Sequence, residues 1–284
     1  MTDATRPPSA TDTVAHATIR LASVTGATAP ETPDPTEDYH EASRIYPGVV
    51  DPYVAGAARL EQSAAMRITA TRSVKRHAHR PLTPLPPGRL GGMPLAEALG
   101  ARRSRRSYGD GPLTIAELGT LLEAAYGVTG TLAGTPQALR SAPSGGALYP
   151  LELYVACRRV AGVSHALHHY DPLRHGLEAL RPLAGDEELA ALTPYEELVT
   201  GCAALVVVTG MLWRSRFKYG ARAYRFTLVE AGHVAQSFLL AVEALGLAST
   251  PTGGFFDRRA DAFVGADGIH ETTLYLLPVG RRET

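Results

Sequence analysis

Cysteine is scarce: the 284 residues hold two, Cys157 and Cys202. Each lies among apolar neighbours (LYVACRRV and VTGCAALVVV) in a segment of strand character, and each reads as a small buried hydrophobe. Neither CxxC nor HExxH occurs, which excludes a disulfide framework and a cysteine-held zinc. GxSxG and GxxxxGK[ST] are missing too, so a nucleophile elbow and a P-loop are rejected. An excess of one charge is also lacking, since 28 Lys and Arg balance 28 Asp and Glu. Nucleic-acid and membrane-surface partners rely on clustered cations and are not expected. No apolar run reaches the roughly 18 residues that cross a bilayer. The N-terminus lacks the charged-then-apolar order of a secretory signal, and a cytoplasmic protein is expected.

What is present suffices for one core of ordinary size, with 45% hydrophobic residues. Residues 1–35 contain 20 Ala, Thr and Pro and no aromatic residue, a composition that cannot offset its ordering entropy, and a disordered tail is expected there. Residues 36–91 read as an N-terminal extension that holds a possible helix over Tyr53–Met66. A basic run (RSVKRHAHR, 72–80) and a proline cluster (PLTPLPPG, 81–88) follow, and prolines with fixed dihedrals favour an extended, solvated connector. The main domain is expected over 92–284.

Within it, Thr114 and Glu117 form a capping box for a helix with Ile115, Leu118, Leu122 and Ala125 on one face, stopped by Gly127. LELYVAC (151–157) reads as a strand, and Ala166–Asp171 with Gly176–Leu180 as a hairpin. AALVVV (203–208) is apolar throughout, as in a central strand covered on both faces. Residues 223–245 read as a helix buried on most sides, crossed by a polar line of Glu230, His233 and Gln236, with His233 a hydrogen-bonded core or interface residue. TTLYLL (272–277) supplies a late strand. Helices and strands mix without regular βαβ alternation, so the fold class is α+β, with a mixed central sheet flanked by helices.

Three clusters could carry chemistry. Arg102-Arg103-Ser104-Arg105-Arg106 offers several guanidinium forks and a hydroxyl, the donor set that suits a phosphate dianion, although an arbitrary arginine run is more often a solvated surface. Pro143-Ser144-Gly145-Gly146 lets backbone approach a ligand closely, or simply turns before a strand. Lys218 and Tyr219 are both proton-transfer groups, or else the ordinary start of an amphipathic helix. The histidines His165, His168, His169 and His175 suggest a metal site. However, His168 and His169 point to opposite faces of a strand and no carboxylate completes a ligand set, so no metal is expected.

The order of these clusters resembles the nitroreductase-like flavin enzymes of the SagB type, which include azoline oxidases acting on ribosomally made peptides. The resemblance lies in RRSRRSY (102–108), LRSAPSGGALYPLELYV (139–155), HHYDP (168–172), RFKYGARAYRFTLVEAGHVAQ (216–236), GGFFD (253–257) and LYLLPVG (274–280). It implies a nitroreductase-like fold with FMN at a homodimer interface. On this likeness Arg102, Ser104 and Arg106 would hold the FMN phosphate and ribityl chain, with Arg103 placed by its backbone. Pro143, Ser144, Gly145 and Gly146 would approach the flavin from the partner subunit. Gly253 and Gly254 would lie near flavin N5, and Arg281 or Arg282 is left as the late cation for the phosphate. Lys218 and Tyr219 match the catalytic pair of the azoline oxidases. The activity so implied is oxidation of thiazoline or oxazoline rings in a precursor peptide to thiazoles or oxazoles, beside a possible cyclodehydratase partner. A general NAD(P)H-dependent nitro or quinone reductase and a flavin-free scaffold are the rival readings.

Overall fold

In a computed structural model the described residues are 35–45 and 74–283. The expected disordered tail, up to residue 34, and the helix expected over Tyr53–Met66 lie outside them. The chain divides into two compact units, Met1–Val50 and Asp51–Thr284. In the first, α1 (Pro35–Ala42) opens on a proline and the acidic Glu37 and Asp38, favourable company for a helix N-terminus. Its end is closed by Ser43, whose Oγ donates to Tyr39 O at 2.6 Å.

The second unit is built on a seven-stranded sheet. Its elements run β1 (Leu82–Pro84), α2 (Leu95–Ala101), β2 (Leu113–Thr114), α3 (Ile115–Tyr126), β3 (Val128–Thr131), β4 (Ala138–Arg140), β5 (Leu151–Cys157), β6 (Val160–Ala161), β7 (Ala166–Asp171), β8 (Gly176–Pro182), α4 (Asp186–Ala190), β9 (Ala204–Met211), α5 (Trp213–Tyr219), α6 (Arg222–Ala244), β10 (Leu247–Ser249), α7 (Asp257–Val264) and β11 (Glu271–Arg281). The sheet order is β1-β8-β7-β5-β9-β11-β10. Every pairing in this sheet is antiparallel, which corrects the expectation of a mixed sheet. Among the described residues parallel pairing is confined to the short β2–β6 contact. Hairpin connections such as β7–β8 produce antiparallel neighbours, and parallel ones would need crossovers of a dozen or more residues.

Period-two alternation explains why residues 203–208, which lead through most of β9, are apolar throughout. Val206 and Val208 join Leu151, Leu153 and Val155 in a core under α3 and α6, whereas Leu205 and Val207 join Tyr154, Leu276 and Phe263 on the opposite face. Cys157 and Cys202 are buried free thiols, and burial pushes the Cys202 thiol up to about 11. The capping box of α3 is formed as read, with Glu117 N–H donating to Thr114 Oγ1 at 3.1 Å. At the end of β9, Gly210 is required by packing: a Cβ there would stand 2.8 Å from Leu274 and 2.9 Å from Thr227 of α6.

The long helix α6 departs from its sequence reading. Ala231, Val234, Ala235 and Phe238 are buried, but Leu228 and Val229 are 43% and 56% exposed, and His233 and Gln236 are exposed with them. Only Glu230 of the expected polar line is buried. At about 100° per residue, steps of three fall back some 60° each, so the line winds off one face onto another.

The connector read as solvated is instead part of the fold. β1 pairs antiparallel with β8, so the body begins before Gly92. From the basic run, Lys75 N–H donates to Glu152 Oε1 (2.7 Å), and Lys75 Nζ donates to Tyr154 Oη (2.8 Å) and Glu271 Oε2 (2.7 Å). His77 N–H donates to Glu178 at 3.2 Å. Beneath them His169 lies between two carboxylates, with Nε2 2.8 Å from Glu152 Oε2 and Nδ1 2.9 Å from Glu178 Oε2. Arg214 pairs with Glu152, and Arg174 with Glu178. Burial alone would discharge His169, but the two carboxylates hold its pKa up at about 9. Burial would likewise raise Glu152, and Arg214 and His169 overcome it and keep that carboxyl at about 2.

The stability supplied by protonated His169 is therefore complete below its ordinary value of 6.5 and is lost as pH rises through about 9. Urea midpoints measured from pH 6 to 10 should fall across that window, by on the order of a few kcal/mol of unfolding free energy. In His169→Gln that fall should be absent.

Candidate active site

The loop that enters β5 is conformationally strained. Gly146, Ala147 and Tyr149 all take left-handed φ values, 63°, 51° and 47°. For residues with a Cβ this costs about 1 kcal/mol or more each and persists only where the surroundings impose it. Ser144 Oγ accepts the Tyr149 N–H (2.9 Å), Gln137 Nε2 donates to Ala147 O (2.8 Å), and the Arg140 N–H donates to Tyr149 Oη (3.0 Å). The loop then joins the sheet where Met211 N–H donates to Pro150 O at 2.8 Å.

That junction decides what the loop meets. β9 ends beside it and turns into α5, whose last residues are Lys218 and Tyr219. A Cβ on Gly146 would stand 2.6 Å from Tyr219 Oη and 2.7 Å from Lys218 Nζ, and one on Gly145 would touch Phe226 and Tyr219 at 3.5 and 3.6 Å. Lys218 Nζ is 5.3 Å from the centre of the Tyr219 ring, which meets Phe226 edge-on at 5.0 Å. Two of the three sequence clusters thus form one constellation within a single chain: a Gly-Gly backbone against an amine and a phenol.

The arginine run is a separate edge of the molecule. It is pinned by Arg105 N–H to Ser249 O (2.9 Å), Gly109 N–H to Arg281 O (3.0 Å) and the buried Tyr108, whose ring packs on Gly280 and whose Oη donates to Leu198 O. Alternate residues differ. Arg105 pairs with Glu243 at 2.7 Å, and Arg103 donates back to Gly100 O and Arg102 O. Among the described residues the side chains of Arg102, Ser104 and Arg106 make no hydrogen bond or ion pair. Ser249, which anchors the run, stands four residues before Gly253, whose Cα faces open space. Gly254 packs on the Tyr195 ring and accepts from Thr193 Oγ1 at 2.6 Å.

Arg281 does not serve as the expected late cation. Its guanidinium is held in a two-pronged pair with Glu117 at 2.7 and 2.6 Å, with Nε donating to Pro112 O. Arg282 is held by Glu243 at 2.9 Å. Both acids lie far away in the chain, which is why neither pairing is visible in the sequence.

The histidine reading needs a similar correction. Carboxylates do flank His169, and His77, His169 and Glu178 offer donor atoms within 4.8 Å of one another. Both His169 nitrogens and the Glu178 carboxylate are already engaged by ionic partners, so the group functions as a clamp for the 74–80 segment. His233 is exposed on α6 and does not belong to a core hydrogen-bond set.

One residue of the site stands in the sequence only as part of the polar line on the long helix, not among the three clusters. Glu230, 3% exposed, lies behind the strained loop, where Tyr126 Oη donates to its Oε1 at 2.6 Å. Burial pushes its carboxyl up to about 7, against the opposing effects of Ser144, Tyr126 and the Arg140 cation. A carboxylate on an otherwise apolar helix stripe was the available signal.

The chain is similar in sequence and in fold to known proteins. The model of the nitroreductase family matches residues 99–281. A Methanocaldococcus jannaschii protein classed with the nitroreductases is 35% identical over 188 residues, 66% of this chain and 91% of that protein. The trifolitoxin-processing protein TfxB of Rhizobium leguminosarum bv. trifolii is 29% identical over 52% of this chain, and the microcin B17-processing protein McbC of Escherichia coli is 29% identical over 42%. The chain spans 42% and 45% of those two relatives. Among solved structures, a nitroreductase-class protein of Ralstonia eutropha superposes with a TM-score of 0.62 at 27% identity, over 74% of this chain and 93% of that one. The E. coli microcin synthetase McbBCD complex with truncated pro-MccB17 bound gives 0.55 at 20% identity, over 98% and 99%, a likeness of fold.

The two loop glycines should respond differently to alanine. Gly146→Ala combines a left-handed φ with contact on Lys218 and Tyr219, whose flexible ends must move aside, and should lower stability by about 1 kcal/mol in urea unfolding. Gly145→Ala makes ordinary contacts and should change the midpoint little.

Proposed function

The chain belongs to the nitroreductase family, and from that premise we propose that it is an FMN-dependent dehydrogenase that oxidises thiazoline or oxazoline rings in a ribosomally made peptide to the corresponding azoles. The observation that carries this reading is the packing of Lys218 and Tyr219 on the Gly145-Gly146 backbone, an amine and a phenol that make no other hydrogen bond among the described residues. An amine and a phenol so placed suit the removal of a ring proton. The names of McbC and TfxB, processing proteins of peptide products, favour a peptide substrate.

The residues fit the cofactor. Arg102, Ser104 and Arg106 retain donors suited to a phosphate and a ribityl chain, while Arg103 folds back on the backbone and leaves its own N–H as its contribution. Gly253, open on its Cα side, would allow close backbone approach to the flavin, with Gly254 packed on Tyr195. When bound, FMN supplies a two-electron acceptor for hydride, with molecular oxygen as the final oxidant. Lys218 or Tyr219 takes the proton from the ring carbon beside the carbonyl, and the adjacent ring carbon gives up hydride, so the ring loses two hydrogens in all. Pro143, Ser144, Gly145 and Gly146 would approach the flavin from the partner subunit, and Lys218 and Tyr219, packed on that backbone, would accompany them. The half-exposed Leu228 and Val229 on α6 are the apolar surface that a homodimer covers. A precursor peptide, delivered by a cyclodehydratase, is the expected partner.

Three measurements test this. An anaerobic absorbance trace of purified protein with a thiazoline peptide should show flavin bleaching, and the peptide should lose two hydrogens by mass; bleaching by NAD(P)H alone would make the chain a general reductase. Lys218→Ala and Tyr219→Phe should retain flavin and lose about a hundredfold or more in turnover. Arg102→Ala with Arg106→Ala should release FMN, measured as the flavin-to-protein absorbance ratio, and full occupancy in that variant would remove the phosphate assignment.

A further inference from the structure

Resting on that functional reading, we infer that Arg214 is a positioning residue, whose guanidinium locks α5 to the strained loop and so holds Lys218 and Tyr219 against Gly145 and Gly146. At seven residues, Trp213–Tyr219, α5 is too short to be stable by its own hydrogen bonds, so its direction is set by what anchors it. Its first turn is tied down through Arg214, which is 8% exposed. One guanidinium nitrogen, Nη2, pairs with Glu152 Oε1 at 2.5 Å, and the other, Nη1, donates a longer bond to Tyr149 O at 3.4 Å. Glu152 is the second residue of β5, and Tyr149 is a left-handed residue of the loop before it. A single side chain of α5 therefore grips both the strand and the loop.

Both partners are themselves fixed. Glu152 also accepts the Lys75 N–H at 2.7 Å and faces His169 Nε2 at 2.8 Å, which leaves its carboxylate little freedom to follow a moving arginine. Tyr149 is held at three points: its N–H donates to Ser144 Oγ, its Oη accepts the Arg140 N–H, and its carbonyl accepts from Arg214. Of these three, Arg214 alone belongs to the helix that carries the amine and the phenol. A buried arginine needs a carboxylate in any case, and Glu152 by itself would meet that need. The second contact, to the carbonyl of a strained residue, is what joins the two halves of the constellation. Lys218 lies one turn beyond Arg214 on the same helix face, and Tyr219 follows it. Tyr219 is thus about 7.5 Å along the helix axis from the anchor, so a tilt of about 8° displaces it by about 1 Å. A misplacement of about 1 Å can cost about a hundredfold in rate.

The test uses the flavin-loaded full chain and compares Arg214→Met with Lys75→Met. Each removes a cation from the same buried set of acids, but the bonds of Lys75 run to Glu152, Tyr154 and Glu271, all on strands. Both variants should lower the urea midpoint. Amide hydrogen exchange, read relative to the β9 amides, reports the tie itself. In Arg214→Met the Tyr149 amide and the Gly220 amide, which is bonded to Arg216 O at the end of α5, should exchange about tenfold faster or more. In Lys75→Met neither should change beyond about twofold. Turnover of a thiazoline peptide reports positioning: kcat should fall about ten- to a hundredfold in Arg214→Met, with KM and flavin content within about twofold, and should stay within about twofold in Lys75→Met. Should Arg214→Met not fold, Arg214→Lys, which keeps a cation beside Glu152 without the planar fork, is read in its place. Unchanged relative exchange at Tyr149 and Gly220 overturns the inference. So does faster exchange with a wild-type kcat, or an equal loss of kcat in Lys75→Met, either of which leaves Arg214 a counter-ion of Glu152 only. If the wild type oxidises no thiazoline peptide, the functional reading fails, while the exchange result still decides whether Arg214 joins the helix to the loop.

Discussion

Leu151 stands opposite Gly210 across the β5–β9 pair, and this register places every reactive group of the proposed site. From it the chain runs back through Pro150 into the left-handed loop on one strand and forward into α5 on the other, so that Gly146 and Tyr219 meet although 73 residues separate them in sequence. Side chains alternate with period two, so a slip of one residue would turn Leu151, Leu153 and Val155 out of the core under α3 and α6. Hydrophobic burial on both faces of β9 therefore fixes the geometry of polar groups beyond its end. Gly210 completes the arrangement, because any side chain there would push Thr227 and the start of α6 away from the sheet.

The opposite face of the sheet is governed by charge. Glu152, His169, Glu178 and Glu271 are buried there, and a buried charge is tolerated only with partners. Arg214, Arg174 and Lys75 provide them, and Lys75 draws the segment before β1 onto the sheet. The same electrostatic demand appears at the C-terminal end of β11, where Glu117 and Glu243 take up Arg281 and Arg282. Cations that look available in a sequence are in these cases already part of the fold.

What could be read from the residues and what could not divides along this line. The α3 helix was legible because Thr114, Glu117 and Gly127 are local signals, and β9 because an unbroken apolar run has few other uses. The site clusters were legible as chemistry, an arginine run, a Gly-Gly turn and a Lys-Tyr pair, but not which of them touch. Glu230 was visible as a polar residue in an apolar helix, while its tie to Tyr126 joins positions 104 apart. The acid partners of His169 and Lys75, up to 196 residues distant, belong to tertiary pairing that no window along the chain contains.

The two outermost strands of the sheet, Leu82–Pro84 and Leu247–Ser249, are three residues long. A sheet edge is a template on which another chain can add, and a long flat one invites fibrous self-association. Here one border ends on Pro84, which has no N–H to offer, and the other is followed within two residues by Pro251. The interior strands, rich in valine and leucine and otherwise prone to stack without limit, are thereby closed off at both margins. Among the described residues the seven-stranded sheet thus ends on each side in a short, proline-bounded hem that offers little backbone to a further strand.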